Sequence, residues 1–172
     1  MPASYQAPMR GDSTKQASSS QSTSSNMGAG TVTVGNLLAQ KDGTVISIEP
    51  GETLHHAVEL LRDHRIGALV VTEDGALAGI LSERDIVRKL AETPGQTLPQ
   101  KVGDVMTRKV ETCGADEPVI SVLKRMTAGR FRHMPVVDGG RLVGMVTIGD
   151  VVNYRLNELE YEALQLKQLI VG

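Results

Sequence analysis

Two hydroxyl–carboxylate pairs carry the chemistry this sequence offers. Ser82 and Asp85 stand three residues apart in "GILSERDIV" (79–87), and Thr147 and Asp150 repeat that spacing in "GMVTIGDVV" (144–152), 65 residues later. A hydroxyl at a helix start lies beside backbone N–H groups that the helix leaves unpaired, a corner suited to a phosphate. A carboxylate three residues on sits about one turn away on the same face, where it can accept hydrogen bonds from the two vicinal hydroxyls of a ribose. Gly79 and Gly144 end the preceding apolar run, where a side chain would block close backbone approach. The spacing therefore matches a nucleotide, with its base against apolar strands, its ribose on the aspartate and its phosphate at the cap. Ser or Thr followed by an acidic residue within a turn is also an ordinary way to start a helix. Duplication shifts the weight toward a ligand, because both aspartates are kept while their neighbours Glu83/Ile148 and Arg84/Gly149 diverge.

The elements that must hold these pairs are themselves duplicated. Residues 45–87 align on 110–152 without a gap and are identical at nine of 43 positions, among them Arg65/Arg130, Gly79/Gly144, Asp85/Asp150 and Val87/Val152. A shorter echo precedes each copy, "VGNLL" at 34–38 and "VGDVM" at 102–106, so each unit reads as a lead-in plus a core. Each core reads as strand, helix, strand, strand, helix. "TVISI" (44–48) is β-rich and Pro50–Gly51 breaks it; Leu54, Ala57, Val58 and Leu61 then fall at helical spacing, matched by Val119, Val122, Leu123 and Met126. "ALVV" and "LAGIL" flank a hairpin signal at Asp74–Gly75, and "MPVV" and "LVGMV" repeat the pattern. Ser82 and Thr147 then open the second helices. A unit of about 50 residues with one apolar sheet face is too small to be stable alone, so the two copies must share a core. The expected division is a disordered tail at 1–30, a first unit at 31–95, a second at 96–157 and a C-terminal helix at 158–172.

Bulk composition narrows the function further. Eighteen basic against 20 acidic side chains give a net charge of -2, with no general attraction to nucleic acid or anionic membranes, so any basic site is local. The chain has no Trp and one Phe, which removes the aromatic platforms of single-strand binders. No apolar run reaches the roughly 18 residues of a membrane span. The single Cys113 rules out an internal disulfide framework and, in "VETCGA", reads as a buried, inert thiol. The tail "STKQASSSQSTSSN" lacks a secretory apolar core. These features point to a cytoplasmic protein or, if the acid-poor tail is a presequence, a mitochondrial-matrix one.

The tandem G-h-h-[ST]-x-x-D, together with "RHMPVVDGGRLVGMVT", resembles the paired cystathionine-β-synthase-type (CBS) motif of a Bateman module over roughly residues 32–158. "RIGALVV", "VGDVMT" and the closing "LNELEYEALQLKQLIVG" are similar to small stand-alone CBS-pair proteins of bacteria and plant organelles. The resemblance implies an α/β (α+β) fold of two β-α-β-β-α units packed pseudo-twofold, and a disc-shaped homodimer. It also implies a regulatory ligand, AMP, ATP or NAD(H), in the clefts, with no required cofactor and no catalysis, and a regulated partner that the chain does not name. Carried over by position, Ser82, Asp85, Thr147 and Asp150 match the family's hydroxyl and ribose positions. Arg132 and His133 match phosphate-reaching positions, with Pro135 in the same strand. Copy one has Gly67–Ala68 where copy two has Arg132–His133, so the clefts should be unequal, with Arg84 as a partial substitute. Thr112 and Thr44, at the first strands, match positions that contact the base.

Other chemistries fit less well. His55 and His56 are adjacent and so diverge on a helix, His64 lies farther along, and a lone Cys113 completes no ligand set, so no metal is expected. Ser82 and Asp85 have no supporting His in the pattern, which disfavours nucleophilic catalysis. The last segment spaces Leu156, Leu159, Leu166 and Leu169 among polar residues as an amphipathic helix, which either folds back on the module or serves a dimer or partner.

Overall fold

The computed structural model describes residues 31–172, so the tail read at 1–30 lies outside the described residues. The first half runs α1 (Val34–Ala39), β1 (Ser47–Ile48), α2 (Leu54–His64), β2 (Ala68–Glu73), β3 (Ala76–Ser82) and α3 (Glu83–Glu92). The second runs α4 (Val102–Val105), α5 (Val119–Gly129), β4 (His133–Asp138), β5 (Arg141–Thr147) and α6 (Ile148–Val171). This is the mixed α/β architecture expected of the duplicated pattern.

Each copy is built on one antiparallel hairpin. Asp74 and Gly75 take φ of 51° and 78°, and Gly139 and Gly140 take 55° and 79°, the paired positive angles of a two-residue turn whose twist suits the strands. Both hairpins carry a register shift at the same place, between Val71 and Thr72 and between Val136 and Val137. The first strands are shorter than the sequence indicates. Only Ser47 and Ile48 of "TVISI" pair with β2, in parallel, and in copy two a single bridge joins Cys113 to Val136. Pro135 stands where copy one has Val70, whose N–H donates to Ile46 O at 3.3 Å; proline has no N–H to donate to Glu111 O, so the second bridge cannot form.

The lead-ins are exchanged between the copies, against the expectation that each belongs to its own core. Val34 and Gly35 of α1 donate to Glu117 O and Ala115 O at 2.9 and 2.7 Å, and Val119 N returns a bond to Val32 O. Symmetrically, Val102 and Gly103 of α4 donate to Glu52 O and Pro50 O at 2.8 and 2.9 Å. Val34 and Leu37 therefore pack with Val122, Met126, Met134 and Val146 of copy two, while Val102 and Met106 pack with Leu54, Leu69 and Leu81 of copy one. Each core is closed by the other copy's lead-in, which ties two small units into one stable body.

The exchange explains the repeated glycines. Gly79 and Gly144 lie inside β3 and β5 rather than at strand ends, and a Cβ on Gly79 would sit 2.8 Å from Met106 Sδ and from Thr107 O. On Gly144 it would sit 2.8 Å from Leu38 Cδ1. The close approach they permit is that of the crossing lead-in. The expected boundary at 157/158 falls within α6, which runs unbroken from Ile148 to Val171.

Candidate functional site

Both hydroxyl–carboxylate pairs form complete capping boxes. Ser82 Oγ accepts from Asp85 N at 3.3 Å while Asp85 Oδ2 accepts from Ser82 N at 2.9 Å. Thr147 Oγ1 accepts from Asp150 N at 3.1 Å and Asp150 Oδ2 accepts from Thr147 N at 2.8 Å. The ordinary helix-start role is thus fulfilled by all four residues. The first helical amides are also engaged, Glu83 N with Gly67 O at 3.0 Å and Ile148 N with Arg132 O at 2.9 Å. The phosphate corner is therefore narrower than the sequence indicates: Arg84 N and Gly149 N are the first-turn amides left without a partner among the described residues. Oδ1 of Asp85 and of Asp150 likewise remains available.

Both pairs open into one cleft of about 1110 Å³ between the copies. Ser82, Arg84, Asp85, Arg132, His133, Thr147 and Asp150 all line it, as does Thr44. Its walls carry seven Lys and Arg against five Asp and Glu, so a chain of negative net charge has a locally cationic trough. The strands bring Gly67 and His133 face to face, where a Cβ on Gly67 would meet the imidazole at 3.4 Å. Arg84 spans the same middle, its Nη1 donating to Arg130 O at 3.0 Å.

Thr112 and Pro135 do not line the cleft. Pro135 is buried in β4, its carbonyl accepting from Cys113 N, and Thr112 is turned toward Arg125. In the gap-free alignment the partner of Thr44 is Lys109, and Lys109 is the residue in the cleft.

Sequence reasoning also missed Lys41, Arg65, Arg88 and Arg130, which line the walls. Arg65 and Arg130 end α2 and α5 at φ of 52° and 56°, a left-handed conformation costly for a non-glycine residue, and their identity in the repeat was the signal available. Lys41 lies in the three-residue insertion that follows the first lead-in. Its Nζ donates to Asp150 Oδ2 at 2.7 Å and to Met145 O at 3.2 Å. Among the described residues Asp85 has no such cation.

Burial and the nearby Lys41 ammonium hold the His133 imidazole below its ordinary pKa, with Glu83 and Asp150 opposing. His133 is therefore less readily charged than a free histidine. Burial pushes the Cys113 thiol up to about 11, with Glu117 adding to the shift, in keeping with an inert core cysteine. His55 and His56 sit exposed on α2 beside Glu59 and Glu52.

A CBS domain is matched twice in the chain, at residues 41–92 and 102–157. The mitochondrial CBS domain-containing protein CBSX3 of Arabidopsis thaliana is 38% identical over 136 residues, 76% of this chain and 66% of that protein. Among solved structures, the CBS-domain protein ATU1752 of Agrobacterium tumefaciens superposes with a TM-score of 0.71 at 39% identity, over 74% of this chain and 96% of that one. The CBS pair of MJ0100, in complex with 5′-methylthioadenosine and S-adenosylmethionine, gives 0.67 at 27% identity, over 75% and 99%. CBSX2 in complex with AMP gives 0.60 at 28%, over 73% and 96%.

Proposed function

Because the chain belongs to the CBS-domain proteins, we propose that it is a non-catalytic regulatory module that binds an adenosine-containing ligand between its two units and, as a homodimer, alters a partner protein's activity. One observation carries the reading: Ser82–Asp85 and Thr147–Asp150 open together into a single locally cationic cleft. Ribose hydroxyls meet the available Oδ1 atoms, and phosphates meet Arg132, His133, Arg84 and the amides at Arg84 and Gly149. AMP, ATP and NAD(H) all fit that chemistry, and the AMP complex of CBSX2 and the adenosine-derived ligands of MJ0100 support the class. Among the described residues no helix is long and apolar enough to cross a membrane. The module works in the cytoplasm or, as the mitochondrial Arabidopsis relative supports, in the mitochondrial matrix.

The complete capping boxes favour a second reading, a dimerisation module with empty clefts, in which both aspartates serve helix starts alone. Calorimetry with AMP, ADP, ATP, NAD(H) and S-adenosylmethionine separates the two. Loss of charge-assisted bonds in Asp85→Ala or Asp150→Ala should weaken binding by about 1.5–3 kcal/mol, and a melting curve records the separate cost of the lost cap, about 0.5–2 kcal/mol. Unchanged affinity in both variants, or no binding of any of the five, supports the second reading.

A further inference from the structure

α6 outlasts its own support. Val151 is its only fully buried residue, and from Ala163 to the end every residue is exposed. A helical segment held by so little tertiary contact frays in water unless something covers its apolar face. That face has a definite period. Val152, Leu156, Leu159, Ala163, Leu166 and Ile170 follow one another at alternating steps of four and three, the 3.5-residue repeat of a coiled-coil seam. The five large members are 45–83% exposed.

We infer that α6 pairs with α6 of a second copy as a parallel, in-register, two-stranded coiled coil. The inference rests on the homodimer proposed above and specifies what holds it. With Leu156, Ala163 and Ile170 at the first core position of each heptad, Val152, Leu159 and Leu166 take the second, and Ile170 beside Leu166 is the β-branched and leucine combination that favours two strands. The flanking charges decide the occupant. In a parallel pair each residue just before the first core position faces, across the seam, the residue just after the second core position of the next heptad. Arg155 then faces Glu160 of the second copy, and Glu162 faces Lys167. Both contacts are between opposite charges, and by symmetry each occurs twice. The seam is thus complementary to itself. Arg155 bonds Glu158 on its own helix, a contact that pairing with Glu160 of the second copy shares or replaces.

The test uses the full chain. Cys113 is buried and leaves an introduced thiol unopposed. Under mild oxidation Leu166→Cys should form a disulfide-linked dimer, whereas Leu164→Cys, outside the seam, should not. Glu162→Lys should weaken dimerisation at least tenfold in analytical ultracentrifugation, and adding Lys167→Glu to it should restore most of the loss. A dimer indifferent to Glu162→Lys, or one that links through Leu164→Cys as readily as Leu166→Cys, overturns the seam while leaving the homodimer standing. A wild-type chain that stays monomeric at tens of micromolar overturns both. The calorimetric screen is read separately, so failure of the seam is not mistaken for failure of nucleotide binding.

Discussion

The half of the cleft around Asp85 and the half around Asp150 begin from the same capping box and end in different electrostatic states. Asp150 is held by Lys41 at 2.7 Å and faces Arg132 and His133, whereas Asp85 has no ion-pair partner among the described residues and faces Gly67 and Ala68. Part of the difference lies within the repeated cores, where Arg132–His133 align with Gly67–Ala68. The rest comes from what each lead-in delivers to the other copy: α1 crosses β5 and brings Lys41, while α4 crosses β3 and brings Thr107 and Lys109. Exchange of lead-ins therefore closes both cores and also adds to the inequality of the two halves of the cleft.

The largest effect should come from breaking that exchange. Leu37, 5% exposed, sits on the copy-two core although it precedes copy one in sequence. Leu37→Ala should cost about 2–4 kcal/mol in denaturant unfolding. Native-state hydrogen exchange should show the loss chiefly in β4, β5 and α6, with β2 and β3 better protected. Preferential loss in β2 and β3 would mean that α1 supports its own copy.

The two glycines sharpen the same comparison. A methyl on Gly79 meets Thr107 O, which is fixed by paired bonds with Ile80 at 2.9 and 3.0 Å, so the clash has no cheap relief. A methyl on Gly144 meets only the two methyl ends of Leu38, which can rotate away. Gly79→Ala should cost about 2–3 kcal/mol and Gly144→Ala less than about 1 kcal/mol. Equal losses in thermal melts would show that the Leu38 contact is as rigid as the backbone one.

This is also where the sequence was legible and where it was not. Apolar periodicity and the turn signals placed α2, α5 and both hairpins, because those elements are fixed by local spacing and φ requirements. Ser82, Asp85, Thr147 and Asp150 were visible because duplication preserved their chemistry beside diverging neighbours. Lys41 was not, since its role depends on a contact 109 residues away in sequence. Thr112 does not reach the cleft, and its strand-like stretch is reduced to a single bridge because Pro135 lacks the N–H that Val70 gives the first strand of copy one. The lead-ins were assigned by adjacency along the chain, which carries no information about an exchange.

Removing Lys41 should bring the half-sites closer together. The Lys41–Asp150 pair is partly solvated, with side-chain exposures of 37% and 22%, so it contributes at most about 1 kcal/mol. Lys41→Met should leave the melting curve nearly unchanged and tighten uncharged adenosine at the Asp150 half by up to about fivefold. Adenosine is the informative probe, because a phosphate would lose an attractive cation at the same time. Weaker adenosine binding in Lys41→Met would make Lys41 a contact for the ligand rather than a competitor for Asp150.

The smallest expected effect is a pH dependence confined to the copy-two half. His133 is held below its ordinary value first by burial, then by Lys41 and Arg132, against Glu83 and Asp150. The unfolded chain binds this proton at about pH 6.5, and the folded one only at lower pH. Between those values the unfolded state carries more protons, so stability is full above about pH 6.5 and is lost as pH falls from there through the folded value. His133→Gln should flatten that part of the stability profile. A phosphate near the imidazole reverses the preference: AMP should bind with proton uptake in the wild type, and its affinity should gain as pH falls. The phosphate's own second ionisation, at about pH 6, is common to both proteins, so the difference between wild type and His133→Gln isolates the imidazole. Identical AMP profiles in the two proteins would mean that His133 does not face the phosphate, leaving Arg132 to distinguish the Asp150 half from its counterpart.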